Sequence, residues 1–365
     1  MARTGPDQSL VPMPAQPRDV PWPTLAWPIG PVPPGVDLTP LVDAAFDPDS
    51  PLSESYAVVV VHRGRLVAER YGGVLEHWDR PTEQIGPETQ LLSWSMAKSM
   101  LHALVGMLVG EGRLDPDAPP RVPQWQAEGD PRAGISLEHL LAMRDGLAFA
   151  EDYVDAGVSD VMEMLFGRGA ADTAAFAADR PLAAAPGERF NYSSGTTNIV
   201  SGVVARTVGP GQPYERFLCE RLFDPLGMAG ARATFDDAGT WTASSYVHAT
   251  ARDFARFGSL YLRDGWWDGE RLLPAGWVDH ARRRRSTDIE TGNGYGAHWW
   301  VTDDEHGSFW ANGYEGQAVL VSPGLDLVLV RLGKTPAERS PDLRRWRTEV
   351  VRAFAAASGP AASGS

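Results

Sequence analysis

Strand-forming segments gather at the two ends of this chain and helix-forming segments fill the space between, and this grouping restricts the fold more than any other feature. Residues 55–62, Ser-Tyr-Ala-Val-Val-Val-Val-His, are an almost unbroken β-branched run. Arg63-Gly64 reads as a turn, and Arg65–Tyr71 as a returning strand. From Ser95 to about Arg285 the apolar residues recur at helical spacing, as in Leu137–Met143, Ser159–Phe166, Thr197–Val208 and Thr250–Leu262. Strand patterns resume at Ala297–Thr302, Gly307–Trp310, Gln317–Ser322 and Leu325–Leu332, and the spacing predicts a final amphipathic helix over Asp342–Ala356. Strands grouped this way, rather than alternating with helices, predict an α+β fold. Its antiparallel sheet would be built from both chain ends and flanked by helices, with a mostly helical domain inserted.

The expected boundaries follow from composition. Ten of the 30 prolines lie in residues 1–35, an arm that cannot form a regular helix or central strand. Burial of Trp22 and Trp27 is expected to pin this arm to the body. Residues 36–93 and 286–356 would form the sheet domain, 94–285 the inserted domain, and 357–365 a frayed tail. No internal repeat is visible.

The net charge of −14 and a pI near 5.0 argue against a nucleic-acid partner. The one basic cluster, Arg282–Arg285, adjoins Asp288 and Glu290 and reads as a solvated helix end. Cys219 is the only cysteine, which rules out an intramolecular disulfide and a metal site built on several cysteines. No cofactor is expected. No window approaches the roughly 18 apolar residues of a membrane span, and the N-terminus has no apolar signal core, so a cytoplasmic protein is expected. Oligomeric state is not legible.

The chemistry is concentrated around a lysine. The chain has two lysines, Lys98 and Lys334, against 31 arginines. A guanidinium stays protonated, whereas a desolvated lysine can lose its proton and act as a base. Lys98 follows Ser95 by three residues in Ser95-Met96-Ala97-Lys98, where an apolar helical pattern begins. One turn of helix would place the two side chains on one side, with the positive end of the helix dipole favouring an alkoxide on Ser95 and disfavouring an ammonium on Lys98. Ser95 is thus a candidate nucleophile beside its base, or else simply a helix cap. Pro186-Gly187 and the following aromatic stretch place Tyr192 and Ser194 on a loop before a helix near Thr197, with Tyr192 either a proton relay or a satisfied core tyrosine. Gly313 and Gly316 bracket a strand edge. An N–H there could join that of Ser95 in an oxyanion hole, or the glycines could mark a bulge. Trp94, Tyr246, Tyr295, Trp300 and Trp310 are candidates to shape the pocket. There is no Gly-x-Ser-x-Gly elbow, no His-Glu-x-x-His helix and no complete P-loop, and Lys334-Thr335-Pro336 reads as a loop.

These segments, with Asp145-Gly146-Leu147, Leu222–Met228 and Ala249–Gly258 in order between them, resemble the serine β-lactamase and penicillin-binding-protein superfamily over about residues 36–355. The likeness is greatest to its class C β-lactamase-like branch, which holds esterases, D-amino-acid peptidases and 6-aminohexanoate-dimer hydrolase-like enzymes. The resemblance implies Ser95 as acylated nucleophile, Lys98 as general base, Tyr192 as proton relay, and the N–H groups of Ser95 and Tyr314 as oxyanion donors. It implies a substrate contact surface of Trp94, Ser194, Ala311, Asn312, Gly313 and Tyr314. Ser194 replaces the asparagine of the family's Tyr-x-Asn, and Ala311-Asn312-Gly313 replaces its Lys-Thr-Gly. Without a cation at 311, efficient penicillin hydrolysis is not expected. A small ester or amide is expected as substrate, or one whose charge is handled elsewhere. Acyl transfer on the same machinery and a non-catalytic binding role remain open alternatives.

Overall fold

In the computed structural model, residues 10–52, 54–76, 81–153 and 159–358 are described. The first nine residues of the expected arm and most of the expected tail therefore lie outside the described residues. The strands β1 (Glu54–His62), β2 (Arg65–Tyr71), β3 (Ser286–Thr287), β4 (Gly294–Tyr295), β5 (Trp300–Val301), β6 (Phe309–Asn312), β7 (Ala318–Ser322) and β8 (Leu327–Lys334) form one eight-stranded sheet. Its order is β3-β4-β5-β6-β7-β8-β1-β2, and every pairing is antiparallel. Both chain ends contribute, as the grouping of strand patterns predicts. The short hairpin strands β3 and β4 are the part that periodicity misses, because two-residue strands are too short to show a period.

The valine run of β1 is continuous because the sheet is covered on both sides. Val59 and Val61 enter one core layer, while Val58 and Val60 enter the other. The second layer is closed by helices α1 (Thr39–Phe46) and α5 (Ser340–Ser358), through Ala45, Leu343, Trp346, Val350 and Phe354. The first layer contains α2 (Ala97–Gly110), α3 (Ser194–Val208) and α4 (Ala251–Leu262). Although α4 falls within the expected inserted span of 94–285, it lies directly on β7, β8 and β1. Gly258 permits that approach, since a Cβ there would sit 2.7 Å from Val319 and Val328.

Arginines hold the Pro-rich arm. Arg256 Nε donates to the Pro23 carbonyl at 2.8 Å, Arg263 Nε to Gln16 Oε1 at 2.8 Å, and Arg282 Nη2 to the Val11 carbonyl at 2.6 Å. A segment rich in proline has carbonyls to satisfy but few N–H groups, and guanidinium donors suit it. Trp27 is buried and Trp22 meets Trp267 at 5.2 Å. The expectation that Arg282–Arg285 is solvated is corrected here. Arg282 is 3% exposed and bridges Asp279 and the arm, Arg285 pairs with Glu138, and Arg284 with Asp303. No helix among the described residues is long and apolar enough to cross a membrane.

A buried polar chain runs beside α2. His102 Nδ1 lies 2.8 Å from Tyr261 Oη and its Nε2 3.1 Å from His280 Nδ1, and His280 Nε2 reaches Glu138 at 2.7 Å. His298 Nδ1 contacts the Lys98 carbonyl at 3.0 Å. Burial, then neighbouring positive charge, holds His102 well below the usual imidazole range and His298 down to about 3. An unfolded chain would protonate both near their ordinary pKa, so their contribution to stability is present above about pH 6.5 and is lost as pH falls. At pH 5, His298 alone costs about 2 kcal/mol. Asp145, raised by burial to about 6, acts in the opposite sense and returns about 1 kcal/mol over the same interval. With His102 added, the balance is a loss. The thermal midpoint is expected to be several degrees lower at pH 5 than at pH 7, with His298→Asn narrowing the gap. Equal midpoints at the two pH values would refute it.

Candidate active site

The segment before Ser95 is held on both sides. Leu91–Leu92 pairs with Val247–Ala249, and Ser93 both donates its N–H to the Val247 carbonyl and accepts from the Val247 N–H through its hydroxyl. The chain then turns sharply. Trp94 adopts φ 46°, a left-handed conformation that costs a bulky residue about 1–2 kcal/mol. Its indole lies against Tyr314 at 5.4 Å and Tyr246 at 6.5 Å. A single 3-10 turn, Trp94–Met96, leads into α2. Ser95 thus sits on the first turn, partly open, where N–H groups have no intrahelical partner. Lys98 is one turn on and 1% exposed.

Three oxygens surround the Lys98 ammonium group: Ser95 Oγ at 2.9 Å, Ser194 Oγ at 3.0 Å and the Ser244 carbonyl at 2.9 Å. Ser194 is itself oriented, because its hydroxyl donates to Glu151 Oε1 at 2.5 Å and its N–H to Oε2 at 2.8 Å. A carbonyl can only accept, and a hydroxyl whose proton is committed to a carboxylate must also accept from the lysine. A neutral Lys98 therefore spends both N–H bonds on Ser244 and Ser194, and its lone pair is left facing Ser95. Burial brings the Lys98 pKa down to about 8, against a smaller upward pull from Glu151. A substantial neutral fraction thus exists near pH 8.

Tyr192 closes the third side. Its hydroxyl is close enough to Ser95 for that side chain to favour the phenolate, and its ring centroid is 5.0 Å from Lys98 Nζ. Trp300 and Tyr295 support the ring at 5.3 and 5.9 Å. Burial raises the phenol pKa, with Glu151 adding to the rise, so Tyr192 stays protonated. Desolvation of a phenolate is the largest influence here and outweighs the opposing pull of Ser95. On the last side, Gly313 at the end of β6 passes so close to the nucleophile segment that a Cβ would lie 2.5 Å from the Ser93 carbonyl. This contact sets Tyr314 beside Trp94.

Residues 51–353 match the family described as Beta-lactamase. The chain is 30% identical over 339 residues to the 6-aminohexanoate-dimer hydrolase of Paenarthrobacter ureafaciens, covering 87% of this chain and 82% of that one. The chain belongs to the beta-lactamase family. Membership makes it a hydrolase. Among solved structures, a candidate 6-aminohexanoate-dimer hydrolase of Bacillus anthracis superposes with TM-score 0.73 at 21% identity, covering 95% of this chain and 91% of that one. A family VIII carboxylesterase superposes with TM-score 0.66 at 15% identity, covering 88% and 99%. At these identities the two structures speak for the fold alone.

Measured against this beta-lactamase-like fold, the expected site residues divide. Ser95, Lys98, Tyr192 and Ser194 meet, Trp94 and Tyr314 border them, and Asn312 lines the adjoining cavity. Ser194 and Ala311, expected at the substrate contact surface, are both buried. Ser194 is fully enclosed on the first turn of α3, which begins three residues earlier than expected, and bonds Lys98 and Glu151 instead. Ala311 is 1% exposed because alternate residues of β6 face opposite layers, and it faces the layer that contains α2, α3 and α4. Trp310, on the other face, is likewise buried.

Glu151 was not singled out from the sequence, nor was Tyr153, whose hydroxyl donates to Glu151 Oε1 at 3.0 Å. Nothing in local spacing signals a carboxylate 43 positions before its partner. Glu151→Gln is expected to lower kcat/KM about tenfold, because Ser194 loses its fixed acceptor and the lysine lone pair its direction. It also removes an upward influence on Lys98, so the rising limb of the pH–rate profile moves to lower pH. A merely structural loss would leave that limb in place.

Proposed function

We propose that the protein is a serine hydrolase that forms an acyl-enzyme on Ser95 and cleaves small esters or amides. The observation that carries this is the buried Lys98 amine held 2.9 Å from Ser95 Oγ, with its other two partners fixed as acceptors. Ser95 Oγ attacks the substrate carbonyl carbon and passes its proton to Lys98. The N–H groups of Ser95 and Tyr314 stabilise the oxyanion. The carbonyl bond to the leaving oxygen or nitrogen then breaks. Tyr192, still a phenol, gives its proton to that atom and is reprotonated by Lys98. Water attacks the acyl-serine and passes a proton to Lys98, which gives it to Ser95 Oγ as the acyl bond breaks, so that the carboxylic acid leaves with Ser95 and neutral Lys98 restored. The 30% identity to a 6-aminohexanoate-dimer hydrolase supports hydrolysis as the reaction.

The test is intact-mass analysis of the protein mixed with p-nitrophenyl butyrate. A transient gain of one butyryl group, mapped to the peptide carrying Ser95 and decaying with turnover, is the expected result. Turnover with no adduct at any time, or an adduct on another residue, would overturn the assignment.

A further inference from the structure

Helix α3 is buried from Ser194 to Ala205, yet it carries a polar stripe. Ser194, Asn198 and Ser201 are spaced four and then three residues apart, which puts them on one face, and all three are fully enclosed. Ser194 bonds Lys98 and Glu151, as described above. Ser201 Oγ donates to the Trp241 carbonyl at 2.6 Å. Between them, Asn198 Oδ1 accepts the Ser244 N–H at 3.1 Å, and its Nδ2 meets the Met164 thioether at 3.5 Å. A thioether is a weak acceptor, so an amide enclosed here is costly. For packing alone, an apolar side chain of similar size would serve better.

What Asn198 supplies is direction. Ser244 is the residue whose carbonyl accepts from Lys98 at 2.9 Å. Its own N–H is held by Asn198, and the peptide that follows is held by the Ser245 N–H, which donates to the Thr242 carbonyl at 3.2 Å. The chain is therefore restrained on both sides of the Ser244 α-carbon, and the carbonyl keeps its aim. The same stretch supports the nucleophile turn, since Ser93 Oγ lies 3.2 Å from the Ser245 carbonyl. One helix thus orients two of the three groups around Lys98, Ser194 directly and the Ser244 carbonyl through Asn198.

We propose that Asn198 is a positioning residue for Lys98, which fixes the Ser244 carbonyl and through it directs the amine lone pair at Ser95. The inference rests on the serine hydrolase reading above and deepens it. Without the Asn198 acceptor, the Ser244 carbonyl drifts, and an N–H of neutral Lys98 can turn toward Ser95 Oγ where the lone pair should be. The ammonium form loses a fixed acceptor as well, which favours the neutral amine.

The experiment reads kcat for p-nitrophenyl butyrate across pH and, separately, the Lys98 amine itself. The chain has two lysines, so isotope labelling of lysine Cε gives two resonances, and Lys334→Arg identifies the one from Lys98. In Asn198→Leu the alkaline plateau of kcat should fall about tenfold with KM nearly unchanged. Both the rising limb and the Lys98 titration should move to lower pH by roughly half a pH unit. Asn198→Asp keeps an oxygen at the same reach and should recover most of the lost plateau. Ser201→Ala, one turn further along α3, should lower the thermal midpoint and leave plateau and titration in place. If Asn198→Leu does not fold, Asn198→Ala carries the same expectations. A plateau within threefold of wild type, or an unmoved Lys98 titration, would overturn the positioning role. A wild type without turnover, whose Lys98 titration still moves on substitution of Asn198, would instead overturn the hydrolase reading and leave the positioning of the lysine standing.

Discussion

Lys98→Met lowers kcat/KM for a short-chain ester by at least about a thousandfold, as expected for removal of a general base from an activated nucleophile. Ser95→Ala should lose at least as much. The effect on stability runs the other way, because methionine fills the same space without a desolvated amine, and the thermal midpoint should hold or rise. Lys98→Arg is the sharper variant. A guanidinium keeps the positive charge but cannot give up its proton, so a role in charge placement would be rescued and a role as base would not. The expected result is no rescue. Wild-type kcat/KM should climb with pH through about 8, since burial favours the neutral amine and only that form accepts the Ser95 proton. An acid optimum, or Lys98→Arg retaining more than a tenth of the activity, would remove lysine from this role.

Gly313→Ala is expected to lower kcat about a hundredfold, with a smaller change in KM. Its backbone lies at φ −127°, where alanine is fully at ease, so the penalty is one of space alone. The added Cβ would stand 2.5 Å from the Ser93 carbonyl and 2.8 Å from the Gln317 Cβ. The first is backbone, already tied to the strand of Val247, and cannot swing aside. Either the end of β6 or the Ser95 turn must shift, and the two proposed oxyanion donors then lose their common focus. Formation of the acyl adduct should slow while overall folding persists at a cost of about 1–3 kcal/mol. Activity within threefold of wild type would show that the close approach is packing and nothing more.

What the sequence determined by itself is whatever depends on neighbours along the chain. Strand runs at both ends and helical periods between them were enough for an antiparallel sheet assembled from both termini. Three residues of helix were enough to set Lys98 against Ser95, because one turn brings such side chains together wherever the helix lies. The tertiary structure alone decided which groups face inward and what they meet there. It buried Ala311 by giving β6 a layer on each face, laid α4 on the sheet through Gly258, and kept Tyr192 a phenol by desolvating its hydroxyl. It brought Glu151 to Ser194. Desolvation and long-range hydrogen bonds act between elements that are remote in sequence, so their effects appear only when the layers close.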